Sequence, residues 1–128
     1  MITKRIILSM VEAERIPAQE SGVMSAPDGK SKIWRNDKGQ IHRLDGPAVE
    51  RADGTKEWWV DGKRHRLDGP AVEYANAYKE WWVDDKLHRL DGPAVEWADG
   101  YKAWYVDGEY VPVHDQEEFV NWLLGIKI

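Results

Sequence analysis

The nonapeptide His-Arg-Leu-Asp-Gly-Pro-Ala-Val-Glu decides the fold: it occupies residues 42–50, 65–73 and 88–96 without a mismatch. Each copy begins 23 residues after the one before it. A fixed short period is the mark of a repeat protein, in which one small unit stacks on itself to bury a shared core. We therefore expect the function to lie on a surface that recurs along the stack.

Composition limits the class of protein. The 128 residues carry a net charge of −5 and no cysteine. The acidic charge argues against nucleic acid as the partner, since nucleic-acid binders usually carry a basic face, and without cysteine there is no disulfide or thiolate chemistry. The first apolar run, residues 6–11, is too short for a membrane span. We expect a soluble protein of the cytoplasm.

Each repeat predicts a β-hairpin that begins with a tryptophan strand. In the central copy, Lys56–Val60 is rich in strand formers. Asp61-Gly62 is typical of a two-residue type I′ turn, in which both central residues need positive φ. The predicted cross-strand pairs are Val60 with Lys63, Trp59 with Arg64, Trp58 with His65, Glu57 with Arg66, Trp81 with His88, Glu80 with Arg89 and, across the longer loop Asp37–Gly39, Trp34 with His42.

A second hairpin joins each Ala-Val-Glu segment to the next tryptophan strand. A three-residue loop at residues 52–54 places Glu50 opposite Lys56, whereas a two-residue turn would place it opposite Glu57. Like charges directly opposed are destabilising, so the three-residue loop is preferred. The same register pairs Glu73 with Lys79 and Glu96 with Lys102.

The middle one of these three loops, residues 75–77, is expected to be strained because it lacks glycine. Asn76 or Ala77 must then adopt the left-handed conformation, which glycine accepts most readily. The repeats together predict a mainly β fold, an elongated, twisted antiparallel meander of tandem hairpins.

A helix is predicted after the last repeat. Asp115 is a suitable N-cap with Glu118 three residues later, and Gly125 suits the C-terminal end. An apolar stripe at helical spacing predicts that this helix caps the last hairpin. The stripe consists of Phe119, Trp122, Leu123 and Ile126.

The predicted layout is a single domain in three parts. Within the N-terminal part, residues 3–11 are interpreted as a strand and residues 12–32, which contain several Gly, Pro and Ser residues, as a loop. The three parts are residues 1–32, a strand plus a loop; residues 33–111, the hairpin repeats; and residues 112–128, the capping helix.

The string Trp59–His65 resembles the MORN repeat, whose core reads Trp-x-Asn/Asp-Gly-Lys-x-His and whose period is the same. The aromatic residue that MORN repeats place four positions before the tryptophan is matched by Tyr78, while Thr55 stands there in the central copy. The Asp-Gly-Pro-Ala variant is similar to repeats of small bacterial, phage and giant-virus proteins. The resemblance covers roughly residues 33–111 and implies a hairpin sheet that binds other proteins. In a phage or mobile element, the expected version of that role is an inhibitor of a host or defence protein.

The repeated histidines and aspartates do not predict a metal site. Equivalent residues two strands apart lie about 10 Å from each other, too far to share a zinc ion. Each histidine is expected to pack on its tryptophan and each aspartate to cap its turn. No phosphate-binding loop or catalytic triad is present, so we expect no enzyme, no metal and no cofactor. The residues concerned are His42, His65, His88, Asp45, Asp68 and Asp91.

The double tryptophans are the better candidates for binding, because neighbours on a strand point to opposite faces. A single sheet cannot bury both faces, so one face either exposes an aromatic ladder, forms a homodimer, or is shielded by long Arg, Lys and Glu side chains. We expect a module that binds another protein; the alternatives are a binder of small molecules or nucleotides and a structural or assembly protein. The predicted binding residues are Trp58, Trp81, Trp104, His65, His88, Arg66 and Arg89.

Overall fold

The computed structural model describes the backbone of residues 21–25 and all of residues 28–125. Within these residues the chain is mainly β, with antiparallel hairpins and one C-terminal helix, as predicted. The predicted strand at residues 3–11 and the first part of the predicted loop lie outside the described residues.

The strands are short, and nine of them form one antiparallel sheet in the order β1-β2-β3-β4-β7-β8-β11-β12-β13. Two separate hairpins, β5–β6 and β9–β10, accompany it. The elements are β1 (Ser21–Ser25), β2 (Lys32–Arg35), β3 (Val49–Glu50), β4 (Lys56–Glu57), β5 (Trp59–Val60), β6 (Lys63–Arg64), β7 (Val72–Glu73), β8 (Lys79–Glu80), β9 (Trp82–Val83), β10 (Lys86–Leu87), β11 (Val95–Glu96), β12 (Lys102–Val106), β13 (Glu109–Val111) and α1 (Gln116–Leu124).

Each central tryptophan strand is divided at its first tryptophan, where the sequence predicts one continuous strand. β4 pairs with β3 and β7 in the large sheet, while β5 pairs with β6. Trp58 stands at the division: its N–H donates to the Ala71 carbonyl at 2.7 Å, and its own carbonyl accepts from the His65 N–H at 3.1 Å. The hairpins β5–β6 and β9–β10 also bond to each other, because the Arg66 N–H donates to the Trp82 carbonyl at 3.0 Å. The repeats therefore stack along two hydrogen-bonded ladders.

The division explains which predicted pairs hold. Trp59 lies opposite Arg64, and Glu50 lies opposite Lys56, as predicted. The predicted pair of Glu57 with Arg66 is wrong, because β4 belongs to the large sheet and Glu57 lies between Val49 and Val72 there. The pair of Glu80 with Arg89 is wrong for the same reason, since Glu80 lies between Val72 and Val95.

The turns adopt the predicted conformations. Asp61 and Gly62 have φ values of 49° and 78°, so both central residues of the type I′ turn are left-handed. In the loop without glycine, Ala77 takes the left-handed position with φ of 73°.

The predicted loop of residues 12–32 contains a strand. β1 pairs antiparallel with β2, and Asp28 closes the turn between them by accepting from the backbone N–H of Lys30 and Ser31 at 2.9 and 2.8 Å. The prediction failed because serine and glycine were interpreted as breakers, whereas pairing with β2 satisfies the backbone of this segment.

The core is built from the last residues of the nonapeptide. The alanines are fully buried and the valines are at most 3% exposed, at positions 48, 71 and 94 and positions 49, 72 and 95. On the valine face, Glu57 is buried between two valines, and its carboxylate accepts from the indole N–H of Trp59 at 3.0 Å. Trp82 makes the same contact with Glu80 at 2.8 Å. The second tryptophan of each central repeat is thus hydrogen-bonded to the glutamate that lies between the valines.

The C-terminal helix packs on the last hairpin, as predicted. Phe119 is fully buried against Trp104 and Val111. Asp115 accepts from the Glu118 N–H at 2.9 Å, and Gly125 ends the helix in the left-handed conformation, as its sequence position suggests. Only one residue of the described stripe is buried: Trp122 and Leu123 remain exposed, and Ile126 lies outside the described residues.

Candidate functional site

The side chain of each nonapeptide arginine is held by residues of its own repeat. In the central copy, Arg66 Nε donates to Asp68 Oδ1 at 2.9 Å, and Nη1 donates to the Pro70 carbonyl at 3.0 Å and to Glu73 Oε2 at 3.1 Å. The guanidinium lies 3.8 Å from the centre of the Trp58 ring. The other copies place Arg43 over Trp34 and Arg89 over Trp81, each at 4.0 Å.

The Asp-Gly-Pro segment follows from this arrangement. A Cβ atom on Gly69 would lie 2.8 Å from Cζ of Arg66, so the guanidinium occupies the space that a side chain would need. The aspartate binds the arginine, where the sequence predicted a turn cap. The invariant segment is therefore a clamp that holds one guanidinium on one tryptophan.

The histidine of each nonapeptide joins successive repeats. His42 Nδ1 accepts from the backbone N–H of Asp61 at 3.0 Å, and Asp61 is the first central residue of the type I′ turn in the next repeat. His65 accepts from Asp84 at 3.0 Å, and His88 accepts from Asp107 at 2.9 Å. Because Nδ1 accepts, a neutral ring carries its proton on Nε2. The histidines therefore have a structural role between repeats that pairing within one hairpin did not predict.

The leucine is the apolar position of the nonapeptide that is exposed to solvent in the second and third copies. Leu67 is 49% exposed and Leu90 is 54% exposed, whereas the neighbouring alanine and valine positions are buried. Single exposed leucines are common on protein surfaces, but these recur at one position of an identical repeat. Sequence reasoning missed them, because only the burial pattern separates this leucine from the core residues around it.

Two grooves lie between successive nonapeptides. The first has a volume of about 520 Å³ and is bordered by Leu44 and Leu67. The second, of about 420 Å³, repeats it between Leu67 and Leu90. We call this pair the leucine grooves. The predicted binding residues that they bring together are Trp58, His65 and Arg66 in the first and Trp81, His88 and Arg89 in the second.

Trp104 does not join these residues. It is 3% exposed beneath α1, where its indole N–H donates to Gln116 Oε1 at 3.0 Å, so it belongs to the core. His65 lines the first groove but is only 4% exposed. Trp58 and Trp81 are half-buried under Arg66 and Arg89. Long side chains therefore shield both rings, which was one of the three expected arrangements of an open sheet face.

Each arginine that lines the leucine grooves is matched there by an aspartate, as Arg43 is by Asp45 and Arg66 by Asp68 in the first groove. Each guanidinium contacts two carboxylates of its own repeat, for example Arg66 with Asp68 and Glu73. The Asp68 side chain is 88% exposed, so it also presents its charge to solvent. Because each guanidinium is already bound by carboxylates of its own repeat while the aspartate remains exposed, these aspartates favour a partner with basic groups over a phosphate.

A second surface was missed by sequence reasoning. Residues at the ends of two hairpin loops form a row of rings, Tyr74, Tyr78, Trp97 and Tyr101, with centroids 5.1, 5.1 and 4.8 Å apart. The register itself could have revealed it, because Tyr74 pairs with Tyr78 and Trp97 with Tyr101 through backbone hydrogen bonds of 2.9 and 2.8 Å. We call these residues the aromatic row.

Tyr78 is the best-held member of the aromatic row. Partial burial raises the pKa of its phenol far above the ordinary value, and the hydrogen bond that the phenol donates to Glu80 Oε2 at 2.6 Å adds to that rise. The ring therefore stays neutral in all ordinary conditions, with a carboxylate beside it.

Within residues 28–125, no group of three or more histidine, aspartate or glutamate side chains is placed to hold a metal ion. No helix in the described part of the chain is long and apolar enough to cross a membrane. No protein-family model matches the chain, and neither a curated protein nor a solved structure matches it. The resemblance to MORN repeats therefore stays a prediction based on the residues of the repeat.

Proposed function

We propose that this chain is a non-enzymatic repeat module that binds another protein through the leucine grooves. The observation that carries the proposal is the exposure of Leu67 and Leu90 within a nonapeptide whose other positions are committed to the clamp, the turn contact or the core. Two successive copies that expose the same apolar residue, next to the half-buried Leu44 of the first copy, create a periodic docking surface.

The spacing and charge of the leucine grooves define the partner. Equivalent positions lie two strands apart, or about 10 Å. A segment in the polyproline II conformation returns to the same side of its axis every third residue, after about 9.3 Å. The partner we propose therefore presents apolar side chains at that spacing with lysine or arginine beside them, which would complement the exposed Asp68 and Asp91. If the chain belongs to a phage or mobile element, occupying such a segment of a host or defence protein would inhibit it.

A nucleotide or another anionic small molecule fits these grooves less well. Arg66 and Arg89 are the only guanidinium groups among the residues lining the second groove, and both are already bound by carboxylates and a proline carbonyl. A phosphate would have to displace those contacts and approach two carboxylates in each repeat.

The proposal is tested by capture from the native host with the wild type and a Leu67→Ser, Leu90→Ser variant. We expect the variant to lose the captured protein while it keeps its fold, because neither leucine is buried. A Leu124→Ser variant is the matched control, since Leu124 is 68% exposed on α1 and does not line either leucine groove. If the double variant and the control capture the same protein equally, the grooves are not the binding site.

Self-association is separated by a mass measurement in solution. A dimer that the Leu67→Ser, Leu90→Ser variant converts to a monomer would show that the grooves bind a second copy of the chain. A monomeric wild type would remove the homodimer and the assembly protein as alternatives.

A further inference from the structure

The aromatic row forms a shallow groove between two neighbouring hairpin loops. The groove has a volume of about 500 Å³ and is lined by Tyr74, Tyr78 and Trp97, with Asn76 and Asp99 at its rim. The rings of Tyr74 and Trp97 are tilted by 41° and 55° against that of Tyr78. The three rings thus present faces and edges around one space, and 39% of Tyr74 and 40% of Trp97 remain exposed.

Carboxylates and guanidinium groups both lie near the rings of this groove: burial and the Glu80 carboxylate raise the pKa of Tyr74, and Arg64 lowers it to a smaller extent. The Glu80 carboxylate accepts the hydrogen bond of the Tyr78 phenol at 2.6 Å, which increases the electron density of that ring. Asp99 lies on the rim, where its Oδ1 accepts from the Tyr101 N–H at 3.0 Å. The residues that line the groove include no lysine, arginine or histidine. Aromatic faces beside carboxylates attract a cation, and they favour one whose charge is spread over methyl groups and is weakly hydrated.

The equivalent hairpin loop between β3 and β4, which we call the first hairpin loop, has the same turn without the aromatic side chains. At the positions of Trp97, Asp99 and Tyr101 it carries Arg51, Asp53 and Thr55. The turn is the same, since Asp53 Oδ1 accepts from the Thr55 N–H at 2.9 Å. The loop conformation therefore does not need the aromatic residues, so stability of the turn does not explain them.

We propose that the groove over Tyr74, Tyr78 and Trp97 binds a trimethylammonium group. The rings would contact the methyl groups, and Asp99 and Glu80 would supply the compensating charge. The site is separate from the leucine grooves, and a trimethylammonium group could come from choline or from a trimethylated lysine.

The test is a titration of the wild-type protein with choline at millimolar concentrations, followed by NMR of its methyl protons. We expect a saturable upfield shift, because protons over aromatic faces are shielded by the rings. The neutral isostere 3,3-dimethylbutanol has the same shape without the charge, and we expect it to bind at least about tenfold more weakly. A parallel titration with the free amino acid trimethyllysine identifies which source fits better, and binding of either one supports the site.

Two variants locate the site with substitutions that the chain already tolerates. Trp97→Arg places there the residue of the first hairpin loop, removes one ring and adds a repelling charge, so saturable binding should be lost. Asp99→Asn keeps the turn, since Asn76 makes the same contact with the Tyr78 N–H at 3.1 Å, and it should weaken binding about threefold. Asp53→Asn is the matched control and should leave binding unchanged.

Three outcomes would overturn the proposal. The first is the absence of a saturable choline shift in the folded wild type. The second is equal binding of choline and 3,3-dimethylbutanol, which would show an apolar groove without preference for a cation. The third is that the Asp99→Asn and Asp53→Asn variants bind choline with equal affinity. This comparison can be made even if Trp97→Arg does not fold.

Discussion

The nonapeptides and the hairpin loops are built in the same three repeats, but the nonapeptides are identical and the loops differ. Arg66 and its equivalents make the same contacts in every copy, with Asp68 or its equivalent at 2.9 Å each time. The loop positions instead change from Arg51 to Tyr74 and Trp97. Positions that are identical in all three copies therefore make the contacts that stacking requires, except for the leucine. The loop positions that differ between copies are not needed for stacking, so they can take a role in binding.

The largest expected effect comes from breaking the arginine clamp. Arg66→Ala removes the stacking on Trp58 and leaves Asp68 and Glu73 beside each other without their shared cation. We expect the free energy of unfolding to fall by about 2 kcal/mol, measured by urea denaturation.

Leu67→Ala is the matched control for this variant, one residue further along the same nonapeptide. Because Leu67 is 49% exposed, its truncation should change the free energy of unfolding by less than about 0.5 kcal/mol. Similar losses for the two variants would contradict the division of the nonapeptide into a structural arginine and an outward leucine.

The loops offer a second, smaller test. Ala77 holds the left-handed position with φ of 73°, where the equivalent Gly54 and Gly100 have φ values of 95° and 93°. Ala77→Gly removes a steric cost of about 1 kcal/mol and should raise the urea midpoint.

Gly54→Ala is the reciprocal variant, and it should lower the urea midpoint by a similar amount. A loss of stability in Ala77→Gly would mean that the flexibility of glycine in the unfolded chain outweighs the strain that it relieves.

Sequence reasoning succeeded where the deciding physics was local. The opposition of Glu50 to Lys56 followed from charge and turn length, and the strain at Ala77 followed from a missing glycine. It failed where one predicted strand is shared between two hydrogen-bonded ladders, the large sheet and the stacked hairpins. Nothing in Lys56–Val60 shows that Trp58 divides it, because the division depends on hydrogen bonds between successive hairpins.

The candidate sites divide in the same way. The grooves contain the predicted residues Trp58 and Arg66, because neighbours in a hairpin remain neighbours in the fold. Trp104 was misplaced, since its burial depends on a helix twelve residues further on, through Gln116. Leu67 was missed because exposure is a property of the stack and not of the repeat sequence.

The last test concerns the pH dependence of stability at Tyr78, in the middle hairpin loop. Burial and the hydrogen bond to Glu80 raise the pKa of Tyr78, and the unfolded tyrosine ionises at about 10. The stability that this shift represents is fully present below pH 10 and is lost at higher pH, because the unfolded state then releases a proton that the folded state retains.

The Tyr78→Phe variant lacks this pH dependence of stability. At neutral pH we expect the variant to be less stable by about 1 kcal/mol through loss of the hydrogen bond. Urea midpoints of both proteins should converge above pH 10, with other titrating groups cancelling in the comparison. A difference that is constant with pH would show that the contact between Tyr78 and Glu80 does not hold the aromatic row in solution.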